Sequence, residues 1–192
     1  DLPEQIIVPH GEDFALDGSV NFRSFWKPSR ATAQFEKQTP VAAKISGNKI
    51  AFQIPAQIQD GKLRVKVGDA TRDVAVVPTY RPALKQISAA IQFPEYLQLP
   101  ATNQAINNGV LNLLEGSTFS LRGKISRELV SAETRFGEKV ESLQTEKDEF
   151  LSGVFDSYPR DAGATRAFLW RDNLGLSNAT PWNLSLKLQK DL

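Results

Sequence analysis

Strict alternation over short runs is the feature that most limits what this chain can fold into. The run KLRVKV at 62–67 alternates charged and apolar residues, so Leu63, Val65 and Val67 share one face. NKIAFQI at 48–54 does the same with Ile50, Phe52 and Ile54, and it follows the turn signal SGN. A period of two sends successive side chains to opposite faces of a strand; a helix would scatter these residues around its axis. DVAVV at 73–77 is rich in β-branched residues, and the intervening GDATR at 68–72 predicts a hairpin with a five-residue loop. Further strands are predicted at 5–8, 19–25, 31–35, 41–45, 86–93, 109–114, 118–124, 130–136, 139–143, 150–155, 166–171 and 182–188. Many short strands punctuated by turn residues imply an all-β sandwich or barrel. Leu129, Ala132, Phe136, Val140 and Leu143 also fit a helical stripe. Gly137 interrupts that stripe at a cost to a helix of about 1 kcal/mol relative to Ala, and strands are predicted there.

The order of features repeats. LDGS at 16–19 and LEGS at 114–117 each precede a strand-like segment, then Ser-Arg, then another strand. Each half closes with a strand ending near an Asp, at 62–69 and 166–172, and with one final strand. Acid-Gly-Ser reads as a tight turn in which Gly takes positive φ. One folding unit used twice is the expectation: two tandem immunoglobulin-like β-sandwiches, residues 1–79 and 83–192, joined at 80–82. The join runs Pro78-Thr-Tyr-Arg-Pro82. Two prolines restrict themselves and the residues before them, so a stiff connector is expected, with Pro78, Tyr80 and Pro82 as the interdomain residues and Tyr80 packed between the units.

Composition excludes several function classes. The 23 basic and 22 acidic residues nearly cancel, and neither half carries an excess of one sign. Nucleic-acid binding, which draws its affinity from neutralised phosphates, is not expected. The absence of Cys removes disulfides, thiolate catalysis and Cys-ligated metals. Met is absent too, even at position 1, so a piece of a longer polypeptide is expected. No apolar run has membrane-spanning length, and any anchor is expected outside these residues.

GSTFSLRGKIS at 116–126 resembles the opening of many bacterial immunoglobulin-like domains. DLP at 1–3, RP at 81–82, FPEYL at 93–97, LLEGS at 113–117, SR at 126–127 and DNLGL at 172–176 together resemble a large, uncharacterised bacterial membrane-anchored protein family. The resemblance implies an extracytoplasmic pair of immunoglobulin-like units, following membrane helices and preceding a long coiled-coil region. It implies no catalytic residues and a periplasmic or otherwise extracytoplasmic location.

The chemistry-bearing residues are sparse. His10 is the only histidine and sits between Pro9 and Gly11, where a solvated turn residue explains it better than a catalytic triad. Glu146, Asp148 and Glu149 form the densest carboxylate group, and a charged hairpin loop accounts for them better than a glycosidase pair. Asp69, Asp73, Asp172 and Asn173 read as turn formers before calcium ligands, lacking the spacing of a calcium loop. Among Trp26, Tyr96, Tyr158, Trp170 and Trp182, core packing is the simpler explanation for the last two. Trp26 and Tyr96 adjoin Pro-containing loops and are the candidate binding residues. The expectation is a non-catalytic extracytoplasmic spacer or protein-interaction module, without cofactor or metal. Its partner would be another protein or a second copy of the chain, and a carbohydrate-binding sandwich is the alternative.

Overall fold

The computed structural model describes residues 2–21, 28–158 and 163–190. The chain divides into two compact units, Asp1–Tyr80 and Arg81–Leu192. Both are all-β.

The first unit has seven strands: β1 (Gln5–Pro9), β2 (Phe14–Ser19), β3 (Arg30–Phe35), β4 (Val41–Ser46), β5 (Lys49–Ile54), β6 (Gly61–Val67) and β7 (Ala70–Thr79). They are ordered β1-β7-β6-β3-β4-β5-β2. β4 pairs with β3 over its first residues and with β5 over its last, passing from one layer to the other. β1 runs parallel to β7, and the remaining pairs are antiparallel. Alternation decides which side chains enter: Leu63 and Val65 are buried between exposed Lys62, Arg64 and Lys66. Burying each such aliphatic side chain contributes roughly 2 kcal/mol. Phe14, Leu16, Ala33, Phe52, Ile54, Val74 and Val76 complete the centre of this core.

The second unit contains β8 (Leu84–Gln92), a 3-10 turn (Glu95–Leu97), β9 (Thr102–Ala105), β10 (Val110–Leu114), β11 (Thr118–Ile125), β12 (Leu129–Phe136), β13 (Lys139–Glu146), β14 (Glu149–Leu151), β15 (Phe155–Asp156), β16 (Thr165–Asp172) and β17 (Trp182–Gln189). The order is β10-β17-β16-β12-β13-β14-β11-β8-β9, with β15 beside β11. β10 and β17 are parallel. The first seven strands of this order, β10 to β11, match those of the first unit one for one, and β8, β9 and the short β15 are additional. Two layers with this order, one layer built on the second and fifth strands of the repeat and the other on the third, sixth and seventh, are the immunoglobulin-like sandwich.

The duplication expected from the sequence is present, but LDGS and LEGS are not its matching parts. Residues 16–19 do not form the predicted turn; they are the second half of β2, with Gly18 opposite Ile50 of β5. Residues 114–117 do turn, and Gly116 has φ of +81°. Strand register aligns β2 with β11 so that Gly18 matches Gly123, each opposite the same position of its neighbour, Ile50 or Phe150. The true repeat is G-x-x-F-x-L-x-G: Gly11, Phe14, Leu16 and Gly18, then Gly116, Phe119, Leu121 and Gly123. Both Phe and both Leu residues are buried.

Other expectations changed in detail. The strand predicted at 19–25 begins five residues earlier, and residues 22–25 lie outside those described. The five-residue loop at 68–72 is a two-residue turn, because Val67 already pairs with Ala70. The strand predicted at 150–155 is two short ones, β14 and β15. The helical alternative for 129–143 is replaced by the hairpin of β12 and β13.

Candidate functional site

The two sides of the junction are each tied to their own unit. In the first, Pro78 lies in β7 opposite Val8 of β1. Tyr80 stacks on His10 with ring centroids 4.3 Å apart and an interplanar angle of 25°, and the backbone N–H of His10 donates to the Thr79 carbonyl at 3.0 Å. In the second, an Arg81 guanidinium N–H donates to the Ser177 carbonyl at 2.9 Å. Pro82 is buried, and the Trp170 indole N–H donates to its carbonyl at 3.0 Å. Tyr80 thus spends its ring on His10, a contact that no local pattern in the sequence announces.

Trp26, one of the two sequence-named binding residues, lies outside the described residues. Tyr96, the other, sits on the 3-10 turn of the second unit and is 66% exposed. Trp170 belongs to the core, within 6.2 Å of the Phe150 ring, and Trp182 packs on Phe168. The carboxylates near 146–149 flank the turn between β13 and β14, where Arg122 meets Glu149 and Lys124 meets Asp148. Asp172 is committed to Arg127 and to the backbone N–H groups of Leu174 and Leu176.

One polar concavity of the second unit was not named from sequence. It occupies about 500 Å³ beside β13, β15 and β16, lined by Phe136, Lys139, Glu141, Asp156, Tyr158 and Arg166, with Val154 and Phe155. The Arg166 guanidinium lies 3.9 Å from the centroid of Phe155 and 4.7 Å from that of Phe136, a cation–π arrangement on two rings. Glu141 pairs with Arg166 at 3.6 Å and also with Lys139. The Tyr158 hydroxyl donates to Asp156 at 3.3 Å. Its cations and carboxylates balance, so the groove offers hydrogen bonds and ring edges without a net field. Its residues come from four strands between residues 136 and 166, and only the folding of these strands brings them together.

On the first unit, Arg64 of β6 and Asp73 of β7 form an exposed ion pair at 2.9 Å. The hydrogen bond from Arg64 holds the Asp73 carboxyl below its usual range.

No family model matches the chain, and no curated protein does. Solved structures are similar to it in arrangement. The I9-I11 tandem from titin is 12% identical, with a TM-score of 0.41, over 97% of this chain, which spans only 64% of the titin tandem. The fibronectin(III)-like modules of Clostridium thermocellum CbhA are 9% identical, with a TM-score of 0.44, over 98% of this chain and 90% of theirs. A Bacteroides ovatus protein of a mixed-linkage glucan utilization locus, SGBP-B, in complex with a mixed-linkage heptasaccharide, is 12% identical, with a TM-score of 0.28, over all of this chain and 46% of its own. Strand order, and not these likenesses, identifies the sandwich.

Proposed function

We propose that the chain is a non-catalytic spacer and protein-interaction module within a larger membrane-anchored, extracytoplasmic bacterial protein. The pinned junction is the observation that carries this. Tyr80 is held by His10, Arg81 by Ser177 and Pro82 by Trp170, so consecutive residues on both sides of the boundary are each committed to a unit. We infer from these separate anchorages that little free chain is left at the boundary, and a short join transmits position, which is what a spacer must do. The chemistry is that of shape: repeated cores, exposed strand edges and a charge-balanced surface.

The absence of Cys makes the test direct. Spin labels at Lys66→Cys and Lys187→Cys, one exposed strand residue in each unit, report the distribution of distances between the units. One narrow distribution supports the spacer. A distribution as broad as a Gly/Ser-linked control overturns it.

The carbohydrate reading is favoured by one observation, the groove in which Tyr158 and Arg166 adjoin Phe136 and Phe155. Glycan-array binding that is lost in Tyr158→Ala would favour it over the protein-interaction reading; an empty array removes it.

A further inference from the structure

We propose that the free edge of β2 is a strand-addition site for a partner polypeptide in extended conformation, carrying apolar residues at alternate positions and a Lys or Arg opposite Asp17. The proposal deepens the interaction-module reading by naming its surface, and it holds whether or not the junction is stiff.

The two units differ, among the described residues, along the outer edge of β2 and β11. Among the described residues β2 pairs only with β5, whereas its counterpart β11 is covered along its length by β8. The direction of the β2 backbone groups follows from one hydrogen bond. The Val20 N–H donates to the Asn48 carbonyl at 2.8 Å, so Val20 faces β5. Facing alternates along an antiparallel ladder. Gly18, Leu16 and Phe14 therefore turn their backbone groups to β5, and Ala15 and Asp17 turn theirs outward. The second unit obeys the same rule: Leu121 faces away from β8, its carbonyl accepting from the Ser152 N–H at 2.9 Å and its N–H donating to the Ser152 hydroxyl at 2.7 Å. Ser120 and Arg122, which align with Ala15 and Asp17, lie opposite Ala90 and Ser88 of β8.

β8 shows what such an edge accepts. Its Ile87, Ala89 and Ile91 enter the core opposite Gly123, Leu121 and Phe119. The first unit presents the same G, L and F at Gly18, Leu16 and Phe14, with no covering strand among the described residues. Among the described residues it also has room there. Phe150, Phe168 and Trp170, whose rings stack at 5.9 and 6.2 Å, belong to the same buried cluster as Ile87, and Ile87 and Phe150 flank Gly123 from its two neighbouring strands. Register matches the three aromatic residues to Ile50, Val65 and Val67. These smaller residues border a cavity of about 250 Å³ beside Gly18. A branched side chain opposite Gly18 would enter the region that Ile87 occupies in the second unit.

Charge selects the occupant. Asp17 is exposed near the middle of the open edge and makes no ion pair among the described residues. A second copy of β2 laid antiparallel would bring two such carboxylates together, and like charges across a ladder are destabilising. A cation in that place pairs with Asp17 instead. Main-chain hydrogen bonds then supply affinity, and alternate side chains supply specificity.

The probe is a peptide of the Leu84–Gln92 sequence carrying S88K, titrated into the whole chain while amide exchange is followed by NMR. Saturable slowing at Ala15 and Asp17 by about tenfold or more is expected. Ala15→Pro removes one outward N–H, a change that edge strands tolerate; it should abolish the slowing while leaving the melting temperature unchanged. Asp17→Lys should lose the S88K peptide and accept one carrying S88E. Unchanged exchange at Ala15 and Asp17 overturns the proposal, as does equal slowing in Ala15→Pro. Slow exchange without peptide also overturns it: if it rises with chain concentration a second copy holds the edge, and if it does not the chain covers its own edge. None of these outcomes alters the spin-label distances between units.

Discussion

Arg127 donates to one carboxylate oxygen of Asp172 from Nε at 2.8 Å and from Nη2 at 2.7 Å, and the Asp172 side chain is fully buried. The other oxygen accepts the N–H groups of Leu174 and Leu176, at 3.0 and 2.8 Å. The pair ties the end of β16 and the loop after it to the segment joining β11 and β12. Replacing Arg127 with Met keeps the aliphatic stem but strands a buried charge. A loss of about 3 kcal/mol is expected, read as a lower urea midpoint for the second unit. A loss below about 1 kcal/mol would mean that the pair behaves as a surface ion pair.

A Cβ built on Gly123 would come within 2.2 Å of the Phe150 ring. The far end of the Phe150 ring occupies the space that a side chain at position 123 would take. Gly123→Ala should destabilise the second unit by about 2–3 kcal/mol through overpacking. Adding Phe150→Leu should recover part of that loss, since the smaller side chain leaves space for the methyl group. A double variant no more stable than Gly123→Ala would show that Gly123 is needed for its backbone and not for the ring.

Gly123 also shows how far the sequence could be read. Alternation located most strands, because burial on a sandwich acts through period two and leaves that imprint on residues such as Leu63 and Val65. The duplication was legible; its alignment was not. LDGS and LEGS share a composition that suits turns, and composition does not reveal that Gly18 pairs across a sheet while Gly116 turns a corner. The spaced pattern Phe14-x-Leu16-x-Gly18 carries the core contacts and recurs at Phe119, but Asp17-Gly18 masks it as a loop. The His10–Tyr80 stack and the Arg166 groove arise from residues brought together only by the fold, so no local pattern encodes them.

Arg64 and Asp73 provide the contrast to the buried pair. Both are exposed, and Asp73 is held below the ordinary value of 3.8 by the hydrogen bond from Arg64. A carboxyl depressed in the folded state contributes stability above its unfolded value and loses it as pH falls through the folded value. The difference in melting temperature between wild type and Asp73→Asn should be small at neutral pH, constant down to mildly acidic pH, and absent below the lowered value. Salt should shrink it. A large difference that survives high salt would contradict the exposed geometry.

Ser117 places its hydroxyl in the core with no hydrogen-bond partner among the described residues, although its backbone carbonyl accepts from the Ser157 hydroxyl at 2.7 Å. A buried hydroxyl without a partner costs free energy that a methyl group does not. Ser117→Ala should therefore leave stability unchanged or raise it by up to about 1 kcal/mol. Ser157→Ala, which removes a donor that is used, should lower it. A destabilised Ser117→Ala would show that the hydroxyl has a partner in solution.

Trp170 links core packing to the junction. Its ring is buried among Phe150 and its neighbours while its N–H holds the Pro82 carbonyl. Trp170→Phe keeps an aromatic ring and deletes the donor. A loss of about 2 kcal/mol is expected from the unpaired carbonyl and the vacated volume. The spin-label distance distribution should broaden in parallel, because Pro82 would no longer be tied to its unit. Destabilisation with an unchanged distribution would separate the two roles, leaving Trp170 to the core alone and the stiffness of the join to Tyr80 and Arg81. Tyr80→Ala, which removes the stack on His10, then becomes the variant that must broaden it.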